Sequence, residues 1–264
     1  MTALSMDDLA IRPGQRGTIL GETQTGKSTL AEHLIGRWRD EYPRSFTLIA
    51  DTKPRFKASR ELDGRPTSVS GRYRRQDWGE EIPNSVVLPM RGIAQLRSDI
   101  KMARSLKYNV AIVQIPERNY VNIMWCAYAI RFSYDDRPPK RPLLIYVDEL
   151  NNFFRDAPRA ASEPIKMVIT SGAERSVGFL GAAQRPRNIS VEAMESMTKL
   201  YWFYSSYSED VKHLRAMGVP PRARPAPNYY QFYFFDKYTR RDGLAQLQLA
   251  RPTVPKESQQ YARG

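Results

Sequence analysis

Eight consecutive residues, Gly21-Glu22-Thr23-Gln24-Thr25-Gly26-Lys27-Ser28, follow a short apolar run, Thr18-Ile19-Leu20, and open a segment with Leu30, Leu34 and Trp38 on one helical face. The octet satisfies G-x-x-x-x-G-K-[ST] in full, a pattern that demands a strand, a loop and a helix in that order. Gly21 and Gly26 permit backbone angles and close approach that a Cβ would block. The loop then points successive backbone N–H groups inward as an anion nest, and the helix start adds partial positive charge. The ligand implied is the polyphosphate of ATP. Lys27 would reach the β and γ phosphates, the Ser28 hydroxyl would bind Mg²⁺, and Thr29 would contact the α phosphate. Gly21, Glu22, Thr23, Gln24, Thr25, Gly26, Lys27, Ser28 and Thr29 are the candidate nucleotide-binding residues.

A second feature completes the site. Leu143-Leu144-Ile145-Tyr146-Val147 is the most apolar strand-like run and ends in Asp148-Glu149. Carboxylates at the end of a buried strand are costly unless they have a task. Asp148 would hold Mg²⁺, through water. Glu149 would orient and polarise the attacking water. The alternative for Glu149 is a helix-start acid near a positive dipole end.

The remaining chain alternates strand-like and helix-like segments. Strands are expected at 45–50, 85–89, 109–115, 177–183 and 200–204, and helices at 92–106, 120–132, 164–174 and 208–217. A hairpin is expected from 229–235 and 243–249 around a turn at 236–242. Such alternation predicts an α/β fold with a mostly parallel central sheet flanked by helices, whose ligands bind beyond the carboxyl ends of the strands. With 264 residues the chain suits one large domain: a lead-in over 1–16, a single ATPase domain over 17–250 with a basic insertion at 53–82, and a polar tail over 251–264.

A single cysteine, Cys126, excludes an intramolecular disulfide and a Cys-based metal site. No run approaches the roughly 18 apolar residues that span a bilayer, and no apolar signal core follows Asp7 and Asp8. His33 and His213 read as structural. The net charge of +13 favours a polyanionic partner, nucleic acid first and an anionic membrane surface second.

Four places together resemble the HerA/FtsK group of P-loop motor ATPases: Gly21 to Ser28; Asp51-Thr52-Lys53 after the second strand; Asp148-Glu149; and Glu174-Arg175-Ser176-Val177-Gly178 followed by Ala182-Ala183-Gln184-Arg185-Pro186. The resemblance spans residues 17 to 205. It implies a P-loop NTPase fold of the RecA-like, ASCE kind and a homo-oligomeric ring, usually hexameric, that moves DNA. Arg175 matches the arginine finger that enters the neighbouring subunit's site. Gln184 matches the polar sensor on the strand between the two Walker strands, with Arg185 acting beside it. The small size resembles genome-packaging ATPases of tailless double-stranded DNA viruses, which implies a cytoplasmic or virion-associated protein working against a capsid vertex or membrane-pore partner.

Residues 53–75 carry eight basic and two acidic side chains, with Phe56 and Tyr73 interleaved. Arg55, Lys57, Arg72, Arg74 and Arg75 are the candidate DNA contacts, of the sequence-independent, salt-sensitive kind. A solvated insertion or an Arg-rich subunit interface would use the same residues. Arg240 and Arg241, at the hairpin tip, are weaker candidates. The aromatics Tyr229, Tyr230, Tyr233, Phe234 and Phe235 read as core or interface, one of them a candidate to pack on adenine. Competing functions for the same motifs are a conjugative or export DNA pump, a virion-assembly ATPase, a nucleotide-dependent assembly switch and a small-molecule kinase.

Overall fold

A computed structural model describes residues 4–52, 58–62, 82–88, 92–114, 120–136, 141–154, 159–216, 218–220, 223–226, 228 and 230–247. The strands are β1 (Arg16–Leu20), β2 (Phe46–Asp51), β3 (Ala58–Glu61), β4 (Ile82–Leu88), β5 (Val110–Gln114), β6 (Leu143–Val147), β7 (Val177–Ala183), β8 (Lys199–Trp202), β9 (Gln231–Asp236) and β10 (Asp242–Gln246). The helices are α1 (Met6–Leu9), α2 (Lys27–Glu41), α3 (Ile93–Ser105), α4 (Tyr120–Asp135), α5 (Arg159–Ser171), α6 (Val191–Ser196) and α7 (Ser208–Ala216).

The strands form one sheet in the order β10-β9-β8-β1-β7-β6-β2-β5-β4-β3. Every pairing from β8 to β3 is parallel, and β9 and β10 close the other edge antiparallel. This is the expected mostly parallel α/β sheet. All five residues of β1 and β6, and all seven of β7, are buried, as central parallel strands covered on both faces are. The pleat sends Leu143, Ile145 and Val147 into the core under α3, α4 and α5. Leu144 and Tyr146 go to the opposite core, with Leu30, Leu34 and Trp38 of α2. Glycines in β7 make room for these layers. A Cβ at Gly178 would stand 2.9 Å from the Trp38 ring, and one at Gly181 would stand 2.8 Å from Leu150.

Three expectations are corrected. The segment 53–82, expected only as a basic insertion with no strand, contains β3, whose Ser59 exchanges hydrogen bonds with Ser85 of β4. The helix expected from Pro164 starts earlier, at Arg159, with Pro164 inside it. Within the supposed lead-in, Leu9, Ala10 and Ile11 are buried. They are held there because Lys199 Nζ donates to the carbonyls of Asp8 (2.7 Å) and Ala10 (2.6 Å), while the Tyr201 hydroxyl donates to that of Leu9. Residues 53–57, 63–81 and 248–264, hence Arg55, Lys57, Arg72, Arg74, Arg75 and the expected polar tail, lie outside the described residues. Among the described residues no helix is long and apolar enough to cross a membrane.

Candidate active site

The octet 21–28 joins the carboxyl end of β1 to the start of α2. Gly21, Gln24 and Gly26 have positive φ (147°, 64° and 106°), so the backbone curls as a phosphate nest requires. Packing also enforces glycine: a Cβ would stand 2.6 Å from Phe203 Cβ at Gly21 and 2.8 Å from Tyr230 Cδ1 at Gly26. The loop is tied from within. Lys27 Nζ donates to the carbonyls of Gly21 (2.7 Å) and Glu22 (2.5 Å), and Thr25 Oγ1 donates to that of Glu22 (2.9 Å). It is also tied from without. The Ser206 N–H and hydroxyl donate to Glu22 Oε1 at 2.6 and 2.7 Å, and these bonds hold the Glu22 carboxyl below its usual range. Thr23 and Gln24 are exposed, and Ser28 and Thr29 are half-buried at the helix start.

Asp148 and Glu149 follow β6, and β7 separates β6 from β1. The two acidic residues therefore face the loop across the end of one intervening strand. Asp148 is buried and accepts from the Tyr146 hydroxyl at 3.3 Å. Thr52 donates to the Asp148 carbonyl at 3.1 Å, bringing the Asp51-Thr52 end of β2 to the same pole. Glu149 is buried in the left-handed region at φ 54°, a conformation of order 1–3 kcal/mol that persists where surroundings impose it. It caps a short 3₁₀ turn, Leu150–Phe153, rather than an α-helix. Its carboxylate accepts from Asn152 Nδ2 and from Gln184 Nε2, both at 3.4 Å. Cys126 is inert: burial pushes its thiol up, and Asp51 adds to the shift.

Gln184 leaves the end of β7, on the strand between the two motif strands, and reaches Glu149 directly. Arg185 turns away to α7. Its guanidinium bonds Asp210 at 3.2–3.3 Å and lies 3.8 Å from the Tyr207 ring centroid. Arg185 is thus an anchor for the strand end. Arg175 stands elsewhere: it precedes β7, at the opposite pole of the sheet from Gln184, and is exposed. Its guanidinium is 4.7 Å from the Tyr134 ring centroid. Asp210, Ser206 and Asn152 were not singled out from the sequence. Asp210 and Ser206 read only as residues around the start of α7, and no motif marks Asn152.

The residues present fit Mg²⁺. Among the described residues no group of three or more His, Cys, Asp or Glu could hold a metal alone. One buried carboxylate, Asp148, with the Ser28 hydroxyl is the sparse oxygen set that Mg²⁺ uses together with substrate phosphates.

The strand order and the motif geometry define a P-loop NTPase fold with an additional strand between the nucleotide loop and the acidic strand. Neither a protein-family model nor a curated protein matches the sequence, whereas solved structures do. B204, the DNA-packaging ATPase of Sulfolobus turreted icosahedral virus, is similar with TM-score 0.55 at 12% identity, over 89% of this chain and 98% of that one. The genome packaging NTPase B204 of Sulfolobus turreted icosahedral virus 2, in complex with ATP-gammaS, matches with TM-score 0.55 at 11% identity, over 89% and 98%. ATPases 2 and 3 of EssC from Geobacillus thermodenitrificans match with TM-score 0.52 at 13% identity, over 88% of this chain and 39% of that one. These likenesses agree with the fold expected from the HerA/FtsK resemblance.

Proposed function

We propose that this protein is an ATP-driven DNA translocase that packages double-stranded viral DNA into a capsid. The observation that carries the ATPase half is Glu149, buried beside the nucleotide loop with Gln184 on its carboxylate. Glu149 would hold the attacking water and take its proton, and Lys27 would exchange its loop carbonyls for β and γ phosphate oxygens. Mg²⁺, held by Ser28 and Asp148, would neutralise charge building on the phosphates. Gln184 would restrain Glu149 until the γ phosphate is in place and report its loss.

Arg175 faces away from the site of its own subunit, which suits a finger completing a neighbour's site in a homo-oligomeric, hexameric ring. The likeness to B204 over nearly its full length supports the packaging reading, as does the net charge of +13. Arg55, Lys57, Arg72, Arg74 and Arg75 are proposed to grip phosphates without reading sequence. A cytoplasmic or virion-associated site of action, with a capsid vertex as docking partner, follows from that reading. A likeness to the cytoplasmic domain of a Type VII Secretion ATPase, EccC of Thermomonospora curvata, favours a second reading, an export engine whose partner is a membrane pore.

Steady-state ATP turnover with and without double-stranded DNA, across a salt series, separates them. Stimulation that fades steeply with salt is expected of the DNA motor. Turnover indifferent to DNA at every salt concentration would reject it and leave the export engine.

A further inference from the structure

We infer that Tyr230, backed by Leu247, is the platform on which the base of the bound nucleotide stacks. The inference rests on the ATPase reading and names the part of the site that recognises the nucleoside.

The sheet order sets the direction in which a bound nucleotide must lie. The loop strand β1 has β7 and then β6 on one side, with Gln184 and Glu149 at their ends, and β8 and then β9 on the other. A triphosphate whose γ end faces Glu149 therefore sends its base toward β8 and β9. Strand β9 runs antiparallel to β8, so its first residues lie at the same pole as the nucleotide loop. Tyr230 immediately precedes it.

Tyr230 is built into the loop rather than merely near it. Its N–H donates to the Thr25 carbonyl at 2.9 Å, and its own carbonyl accepts from the Leu247 N–H at 2.9 Å. Its φ of 62° is a left-handed value that a bulky side chain rarely adopts. The ring lies against Gly26, and Leu247 Cδ1 approaches the same glycine. Yet Tyr230 remains 38% exposed. Among the described aromatics of this stretch it stands apart. Phe232, Phe234 and Phe235 are core residues, and Tyr233 is buried with its hydroxyl on Asp242. An exposed aromatic ring with an aliphatic neighbour, fixed at the base-side rim of a phosphate nest, offers a stacking surface for a purine. Stacking tolerates any base but favours the larger ring system.

The test compares ATP with inorganic tripolyphosphate, which fills the nest but has no base, by titration calorimetry. Tyr230→Ala is expected to weaken ATP on the order of tenfold, as loss of one base–aromatic stack does, and to leave tripolyphosphate unchanged. Tyr230→Phe is expected to keep both affinities. Equal weakening of both ligands would make Tyr230 a loop support only, and unchanged ATP binding in the alanine variant would place the base elsewhere; either overturns the inference. Wild-type protein that binds neither ligand would instead overturn the ATPase reading itself.

Discussion

Gln184 Nε2 donates to Glu149 Oε1 at 3.4 Å, from the end of one strand to the end of its neighbour. In the proposed reading the bond joins the residue that would sense the γ phosphate to the residue that would activate water. It makes the two interdependent. Glu149→Gln is expected to retain ATP binding and to lose turnover by a factor on the order of 10²–10⁴, the range for a general base. Gln184→Ala is expected to lower kcat about tenfold with KM little changed, since it removes orientation and not a ground-state contact. Single-turnover and steady-state kinetics of both variants check this. A Glu149→Gln enzyme with undiminished kcat would remove Glu149 from the mechanism.

Arg185 and Asp210 hold the end of β7 from behind. Asp210 is fully buried, with Ser205 Oγ on its second oxygen at 3.4 Å. Arg185 is half-buried and keeps its contact with Tyr207, so removing Asp210 strands a partly desolvated guanidinium, at about 1–3 kcal/mol. Asp210→Ala is therefore expected to lower unfolding free energy by about that amount and to reduce turnover through Gln184. The double replacement Arg185→Met/Asp210→Leu is expected to recover much of the stability without the turnover. Urea unfolding alongside ATPase assays checks both. Equal recovery of the two would show that Arg185 acts through stability alone.

Much of this arrangement was legible in the sequence because it is local. Strand β6 announces itself as five consecutive apolar residues, α2 by its apolar spacing, and the nucleotide loop by glycines whose φ values only glycine tolerates comfortably. What stayed hidden depends on distant partners. Nothing near Leu9 signals that its carbonyl will meet the Tyr201 hydroxyl. Asp210 looks like an ordinary acid in the first turn of a helix until Arg185 is brought against it. Ala58-Ser59-Arg60-Glu61 has no alternating apolar pattern, and becomes β3 only because Ser59 pairs with Ser85. Tyr230 sits in an aromatic run whose members cannot be told apart until β9 is paired, after which, among the described residues, Phe232, Tyr233, Phe234 and Phe235 go inward and Tyr230 faces the loop.

Lys199 gives the protein a pH-dependent joint. Its ammonium is buried, 3.8 Å from Asp236 and bonded to the Asp8 and Ala10 carbonyls. Burial pulls its pKa down to about 8, against the opposing effect of Asp236. Between that value and the ordinary lysine range the unfolded chain binds more protons than the folded one, so stability rises with pH. Tyr201 acts in the opposite sense. Burial pushes its phenol well above the usual value, so stability falls once unfolded tyrosine ionises, above about pH 10. The window for Lys199 is thus about pH 8 to 10, with a gain on the order of 2 kcal/mol. Unfolding free energies measured across that window should climb in the wild type and stay flat in Lys199→Met. A wild-type curve that falls from pH 8 would contradict the assignment.

Arg175 offers the sharpest test of a ring. It lies before β7 while Gln184 and the nucleotide loop lie beyond its far end, so it cannot serve the phosphate site of its own subunit. Stacking over Tyr134 presents the guanidinium outward from the close of α4. If it completes a neighbour's site, Arg175→Ala should lose turnover by about 10³ or more while still binding ATP, the usual scale for an arginine finger. Lys27→Ala should be inactive for the opposite reason, a defective loop with a sound finger. Mixing the two variants should then restore part of the activity. Mixed rings contain interfaces that pair an intact loop from the Arg175→Ala subunit with an intact finger from the Lys27→Ala subunit. A finger acting within its own subunit could not produce that recovery at any mixing ratio. ATPase titration of one variant into the other, with native mass spectrometry to count subunits, reads the result directly. Recovery peaking at intermediate ratios is the expected outcome, and its absence in demonstrably mixed oligomers would return Arg175 to a surface role beside Tyr134.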